Sequence, residues 1–190
     1  MARIAVPEAL EANPGLMVKQ HAPAQYDAWL GFGKAVYQET KLPYRVVEAA
    51  RYRTAQINGC VACQGFRAAV DLKGYFENFG GDFSRSFAGR AESLPDESFY
   101  AAIGEDWRDA APGILDEADR LAIEFAERMG RDPHSFQADE DFWTALRAVF
   151  SDEQIVDLTL AVASWIAGGR IVHTLGIGPV SCPVPTAVAA

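Results

Sequence analysis

The stretch from Ile155 to Leu175 limits how this chain can fold more than any other feature, because it is strongly apolar over most of its length. It is predicted to form one long helix, and Ser151-Asp152-Glu153 directly before it is typical of a helix start. Its apolar residues, among them Trp165 and Ile166, occupy more faces than one small bundle can cover. We therefore expect a second subunit to cover part of this helix.

Other segments of the chain also have helical spacing. From Ala24 to Glu39 apolar residues recur at intervals of three and four, which is typical of an amphipathic helix. No segment alternates as a half-buried strand does, and no repeat of fixed period is evident, so the predicted fold class is all-α. Further helices are predicted over 44–57, 60–73, 96–103, 116–129 and 139–150, with a loop over 80–90.

The two ends of the sequence lack a lasting period. Residues 1–23 are rich in Pro, Ala and Gly and are predicted to form an extended N-terminal arm. Residues 24–177 form one predicted helical domain. Residues 178–190 are broken by prolines and are predicted to be a C-terminal tail.

Composition narrows the class of protein. The chain has 190 residues, of which 49% are apolar, and this is enough to bury a core without metal or disulfide crosslinks. A net charge of −9 argues against a nucleic-acid partner, because phosphates need a basic surface. The first residues lack the apolar run of a signal peptide, and no uncharged stretch has the roughly 18 to 20 residues of a membrane span. We expect a cytoplasmic protein that contacts neither membrane nor nucleic acid.

Two of the three cysteines, Cys60 and Cys63, are three residues apart, and this pair carries the main chemical signal. They begin the helix predicted over 60–73, with Asn58 as its N-cap and Gly74 as its C-cap. This spacing puts both sulfurs on one helical face, near enough to form a disulfide. The partial positive charge at a helix start favours thiolate over thiol. The pair is therefore predicted to be redox-active.

Two other interpretations of the pair remain open. Zinc binds cysteines at this spacing, but a structural zinc site needs four ligands, and the chain has no second close Cys or His pair. The pair could instead be buried and inert. The third cysteine, Cys182, lies between Ser181 and Pro183 and is predicted to take no part in the chemistry.

The residues around the dithiol resemble the signature of the alkylhydroperoxidase D and carboxymuconolactone decarboxylase family. The sequence Gln56-Ile57-Asn58-Gly59-Cys60-Val61-Ala62-Cys63 follows Glu48, and this family places a glutamate twelve residues before its first cysteine. The similarity extends loosely from Tyr26 to Gly74 and returns over 155–177. It covers roughly a third to a half of the chain.

The resemblance implies a fold, an assembly and a role for each cysteine. It implies an AhpD-like (alkylhydroperoxidase D-like) helical bundle that forms a homo-oligomer, either a trimer or a hexamer, with the dithiol buried between helices. Cys63 would attack the peroxide, and Cys60 would resolve the product and donate a proton. The helix dipole alone favours the opposite order, because Cys60 is nearer the helix start. We adopt the order that the family implies.

Glu48 is predicted to assist proton transfer. A carboxylate held near a thiol in a dry site can accept and return its proton. Tyr44 and Tyr52, four residues to either side on the same helix, favour partial burial of Glu48. The alternative is a weak surface ion pair with Arg51 or Arg45.

Arg67 is the main departure from the family pattern. Peroxidase members of the family have a histidine four residues after the second cysteine, and this chain has Arg67 there. On a continuous helix Arg67 would lie over Cys63, where it could stabilise a thiolate but could not relay protons near neutral pH. We therefore expect a reactive thiol and weak peroxidase activity. The alternative is an exposed Arg67 that pairs with Asp71.

The histidines offer no clear replacement for the missing one. His21 lies in the predicted arm and His134 in a loop, and His173, in the last turn of the long helix, is the best candidate to approach the thiols. The four tryptophans are predicted core or interface residues, because no glycine-rich phosphate loop accompanies them. They are Trp29, Trp107, Trp143 and Trp165. No cofactor is indicated.

Three functions fit these residues. The first is a thiol-dependent peroxidase or disulfide reductase, whose substrate is a small hydroperoxide or disulfide and whose electron donor is an external dithiol or reductase. The second is a cofactor-free decarboxylase, although members of that type commonly lack the dithiol. The third is a non-catalytic oligomer that responds to redox state.

Overall fold

The computed structural model describes residues 2–10, 14–104 and 106–177. Within these residues the chain forms ten α-helices and three short 3-10 turns, and it forms no β-strand. The helices are α1 (Pro14–His21), α2 (Pro23–Glu39), α3 (Tyr44–Ile57), α4 (Val61–Gly65), α5 (Ala68–Phe79), α6 (Glu97–Ala102), α7 (Glu117–Arg131), α8 (Pro133–Gln137), α9 (Glu140–Val149) and α10 (Asp152–Leu175). The predicted all-α fold class is confirmed.

Side-chain caps explain why several helices begin where the sequence predicted. Asp116 and Ser151 form capping boxes at α7 and α10, in which the cap and the residue three positions later satisfy free backbone N–H groups. Asp96 and Asp139 each accept backbone N–H bonds at the starts of α6 and α9. Gly176 ends α10 in a left-handed conformation, with φ 61°, which a residue without a Cβ adopts easily.

α3 is the central helix of the fold. Most of its residues are buried, and it packs most extensively against α7 and next against α10. Large apolar side chains from six other helices complete the core. Examples are Leu72, Phe99, Ile123, Leu146 and Leu158. Burying a side chain of this size contributes about 1.5–3 kcal/mol, so this core can hold α3 and the site at its end in place.

α10 is covered on one side only. Ile155, Leu158 and Val162 are buried, whereas Val156 and Leu160 are 56% and 46% exposed. Among the described residues, α10 is the one helix whose length and composition would let it cross a membrane, which is weak evidence by itself. The single chain thus leaves an apolar face of α10 without cover, as its sequence predicted.

The N-terminal segment differs from its prediction. Residues 1–23, expected to be extended, contain a 3-10 turn at Glu8–Leu10 and the helix α1. α1 packs against α2 and buries Met17. Pro14 at its first position suits a helix start, because that position needs no backbone N–H. The predicted tail 178–190, which includes Cys182, lies outside the described residues.

Candidate active site

The dithiol lies where the chain leaves α3 and enters α4. Asn58 closes α3 as its C-cap, and Gly59 follows with φ 63°, the left-handed conformation that the sharp turn requires. Cys60 is the N-cap of α4, and its sulfur accepts a hydrogen bond from the Cys63 backbone N–H at 3.2 Å. The prediction of Asn58 as the N-cap is therefore wrong.

Cys60 and Cys63 are joined by a disulfide, with their Cα atoms 5.3 Å apart. This confirms that the two sulfurs share one side of a short turn. Cys60 is half-buried and Cys63 is exposed, so in the single chain the pair is open at Cys63 and not enclosed between helices as the resemblance implied. In the described part of the chain no group of three or more His, Cys, Asp or Glu side chains could hold a metal ion.

The single helix predicted over 60–73 is in fact two helices. α4 ends at Gly65 and α5 begins at Ala68, with extended backbone at Phe66 and Arg67 between them. Arg67 therefore does not lie over Cys63 on one helical face, and that prediction is wrong. α4 has only five residues, so its dipole is weaker than that of the long helix on which the thiolate argument rested.

The Arg67 side chain turns to other partners. Its guanidinium binds the Glu97 carboxylate at 2.8 Å and stacks 3.8 Å from the centre of the Tyr100 ring. It also donates to the backbone carbonyl oxygen of Gln64 at 2.6 Å. Asp71 accepts a hydrogen bond from the Arg67 backbone N–H and not from its guanidinium. Arg67 is thus a residue that fixes the end of α4.

Glu48 forms the ion pair with Arg51 that the alternative predicted, but it is fully buried and the pair does not lie at the surface. Its two carboxylate oxygens accept hydrogen bonds from Arg51, at 2.5 and 3.0 Å, and one of them also accepts from the Tyr100 hydroxyl at 2.8 Å. Burial and the Glu48 charge raise the pKa of Tyr100 well above its ordinary value, which keeps its hydroxyl a donor. Within the described residues no hydrogen bond joins Glu48 to either sulfur.

Arg51 is the site residue that the sequence did not single out as functional. It is 4% exposed, and it donates to the backbone carbonyl oxygens of Cys63 and Phe66, both at 2.7 Å. Burial opposes its charge, but the Glu48 carboxylate more than compensates and holds the pKa of Arg51 above its ordinary value. Arg51 therefore links the glutamate of the motif to the turn that carries the cysteines.

A cavity of about 240 Å³ lies beside Cys63. Its walls come from α2, α3, α4, α5 and α10 and from the turns that flank α4, and five of the fourteen lining residues are aromatic. Its lining includes Trp29, Tyr37, Arg51, Cys63, Tyr75 and Trp165. Cys63 is the cysteine of the pair that lines this space. Of the two cysteines, Cys63 is therefore the one that a small apolar molecule in the cavity would contact.

Two glycines of α10 let the helix approach the cavity closely. A Cβ atom at Gly168 would lie 3.0 Å from the Trp29 ring, and one at Gly169 would lie 2.2 Å from the Asn58 side chain. Asn58 in turn donates to the Trp165 carbonyl oxygen at 3.0 Å. Residues without side chains at these two positions therefore set the distance between α10 and the turn before the dithiol.

The three histidines lie away from the cavity, whose lining includes none of them. His21 contacts the Ala5 carbonyl oxygen at 2.8 Å, and His134 lies exposed in α8. His173 is in the last turn of α10, as predicted. The polar residues that line the cavity with Cys63 include Arg51 and Tyr37.

Comparisons with known proteins support the fold. No family model matches the sequence, and no curated protein matches it. One similar solved structure is that of a protein of unknown function from Agrobacterium tumefaciens, described as a candidate antioxidant defence protein AhpD. The TM-score is 0.59 and the identity 23%, over 87% of this chain and 95% of that one. The resemblance found in the sequence is thus confirmed at the level of the fold, and this chain has the all-helical architecture of an AhpD-like protein.

Proposed function

We propose that this chain is a thiol-dependent oxidoreductase that reduces hydroperoxides through Cys60 and Cys63. The observation that carries the proposal is a disulfide with one exposed sulfur on the wall of a cavity. A disulfide that closes in three residues and faces a space for a small molecule suits a repeated cycle of oxidation and reduction. The AhpD-like fold adds support by analogy.

The proposed cycle balances as follows. The Cys63 thiolate attacks the terminal oxygen of the hydroperoxide, the O–O bond breaks, and the remaining oxygen leaves with the electron pair and takes a proton to become an alcohol. Cys63 is then a sulfenic acid. The Cys60 thiol attacks that sulfur and water leaves, which forms the disulfide. An external dithiol or reductase returns two electrons and two protons.

Access to the sulfurs supports Cys63 as the attacking residue. Cys63 is exposed and lines the cavity, whereas Cys60 is half-buried. The hydrogen bond from the Cys63 N–H to the Cys60 sulfur would stabilise a thiolate on Cys60. A stabilised thiolate leaves more readily, so an incoming reductant would attack Cys63 and release Cys60.

The proton-transfer role of Glu48 stays a prediction. In the disulfide state its carboxylate binds Arg51 and Tyr100, so a proton from Cys63 would reach it only after these side chains move. The same contacts support a second role, in which Glu48 orients Arg51 and Arg51 holds the Cys63 carbonyl. The redox-responsive oligomer remains an alternative. The uncovered face of α10 favours assembly under either of the two functions.

The cysteine roles can be tested by peroxide consumption with a dithiol donor. We expect the parent protein to turn over and Cys63→Ser to be inactive. Cys60→Ser should react once and leave a sulfenic acid on Cys63, which dimedone labels and mass spectrometry locates. Equal turnover in the parent and Cys63→Ser would exclude the peroxidase. A disulfide that forms with peroxide but never turns over would favour the redox-responsive oligomer.

A further inference from the structure

The cavity beside Cys63 is lined by tyrosine hydroxyl groups whose protons no described residue accepts. Tyr37 is surrounded by the rings of Tyr75, Phe87 and Trp165, yet it keeps accessible surface because it lines the cavity. Its hydroxyl oxygen accepts a hydrogen bond from the Trp165 indole N–H at 3.2 Å. No described residue accepts the Tyr37 hydroxyl proton. That proton is therefore available to a molecule in the cavity.

Tyr37, Arg51 and Cys63 line the same cavity. Arg51 is close enough to influence the pKa of Tyr37, and Arg51 binds the Cys63 carbonyl oxygen at 2.7 Å. Tyr75 is the second tyrosine of the cavity wall and has no described hydrogen-bond partner. The charged groups that influence its pKa are Tyr37 and Tyr26. Of the two hydroxyls, that of Tyr37 is the one influenced by Arg51, which also binds the backbone of Cys63.

The volume of the cavity limits what can enter. A cavity of about 150 Å³ lined by apolar side chains holds benzene, and pockets for drug-sized ligands begin near 300 Å³. The 240 Å³ found here lies between these values and suits one substituted ring or a branched alkyl group. Trp29, Phe66 and Trp165 offer flat apolar walls for such a group.

We propose that this cavity binds the apolar body of a compact aromatic or branched hydroperoxide, and that the Tyr37 hydroxyl donates a hydrogen bond to the carbon-bearing oxygen of that substrate. This inference rests on the peroxidase function proposed above. Cys63 takes the terminal oxygen, the O–O bond breaks, and the carbon-bearing oxygen receives the Tyr37 proton as the alcohol forms. The resulting phenolate takes a proton from water.

The surroundings of Tyr37 suit a proton donor. Burial raises the pKa of Tyr37 above its ordinary value, so the hydroxyl keeps its proton at neutral pH. Arg51 and the Trp165 N–H both favour the phenolate, so they limit that rise and support the negative charge after transfer. Tyr37 thereby supplies the proton donor that Arg67 cannot supply.

Binding can be tested without redox chemistry. The probe is 2-phenyl-2-propanol, the alcohol product of cumene hydroperoxide, titrated into the oxidised protein by calorimetry. Gly33 lines the cavity, and a Cβ atom there would meet only the Tyr75 hydroxyl, at 3.7 Å. Gly33→Leu should therefore fill the space and weaken binding at least about tenfold. Gly31→Leu, on the same helix with nothing within 4 Å of its Cβ, is the control and should bind as the parent does.

The reaction provides a second measurement. Gly33→Leu should lower kcat/KM for cumene hydroperoxide about tenfold or more, and by a larger factor than kcat/KM for hydrogen peroxide, since hydrogen peroxide has no apolar body. Tyr37→Phe should weaken alcohol binding about fivefold, as expected for the loss of one hydrogen bond, and lower kcat for cumene hydroperoxide. Tyr75→Phe, which removes the other cavity hydroxyl, should have a smaller effect on alcohol binding and on kcat for cumene hydroperoxide than Tyr37→Phe has.

The outcomes separate this inference from the proposed function. Alcohol binding by Gly33→Leu as tight as by the parent overturns the cavity site. The same holds if the parent reduces peroxides but does not bind the alcohol. If the parent binds the alcohol and Gly33→Leu does not, while cumene hydroperoxide oxidises neither cysteine, the binding site stands and the peroxidase function fails. Equal kcat in Tyr37→Phe and the parent overturns the donor role.

Discussion

Glu48 and Arg51 are opposite charges at the centre of the molecule, where desolvation costs each of them several kcal/mol. Their two mutual hydrogen bonds and the bonds from Arg51 to two carbonyl oxygens offset that cost. Removing one member of the pair should therefore destabilise the protein, because the other charge would stay buried without its partner. This gives Arg51 a structural reason to lie beside the dithiol that does not depend on any catalytic role.

Splitting the pair should destabilise the protein strongly. Arg51→Met leaves a buried carboxylate without its partner, and we expect a loss of about 3–5 kcal/mol in the free energy of unfolding. Urea denaturation followed by circular dichroism measures the change. Lys41→Met is the control, because it removes an ion pair with Glu153 whose side chains are 64% and 72% exposed, and it should cost less than about 1 kcal/mol. Similar losses in both variants would contradict this account.

The sequence predicted some of these residues and missed others for a physical reason. Cys60, Cys63 and Glu48 belong to one local motif, so their spacing could be recognised. The contacts of Arg51 and Tyr37 at the cavity arise only when α2, α3 and the turn after α4 come together. Neither residue carries a local signal for a cavity, because the partners that make one are distant in sequence.

At the scale of the helices, several start signals predicted a helix correctly, whereas the N-cap of α4 and an interior break were not predicted. Asp96, Asp116 and Ser151 cap helices at the predicted places because capping is local chemistry. The break between α4 and α5 follows Gly65, and a lone glycine is tolerated inside many helices. Here the break is stabilised by carbonyl contacts from Arg51 and Arg67, which a local pattern cannot reveal.

The contact between α10 and the turn before the dithiol gives an element-level prediction. Gly169→Ala places a Cβ atom 2.2 Å from the Asn58 amide, so Asn58 must move and lose its bond to the Trp165 carbonyl oxygen. We expect a loss of about 1–3 kcal/mol in unfolding free energy, measured by urea denaturation.

Gly31→Ala is the matched control for this change. It also replaces a helical glycine, but its Cβ would meet nothing within 4 Å, so it should stabilise the protein by up to about 1 kcal/mol through helix propensity. An unchanged or higher stability of Gly169→Ala would show that the close approach at Asn58 is not needed.

At the scale of the whole molecule, the uncovered apolar face of α10 is a candidate contact surface between subunits. Val156 and Leu160 are both large and about half exposed, and they lie four residues apart on one helical face. We propose that two or more copies of the chain associate through this face, as the resemblance implied.

The cytoplasmic location also stays a prediction.

Light scattering coupled to size exclusion tests the assembly. The parent should elute as an oligomer, and Val156→Glu with Leu160→Glu should shift it towards the monomer, because two carboxylates cannot be buried without partners. Leu94→Glu, which changes a 57% exposed leucine outside α10, is the control and should leave the oligomer intact. A monomeric parent at micromolar concentration would contradict the proposal.

The two guanidinium groups around α4 bind backbone oxygens and not sulfur. Arg51 holds the carbonyl of Cys63, and Arg67 holds that of Gln64, and neither contact includes a sulfur atom. We therefore expect the S–S bond to open by side-chain rotation at the two cysteines, while the main chain keeps these contacts. If the dithiol cycles as proposed, no refolding step is needed in each turnover.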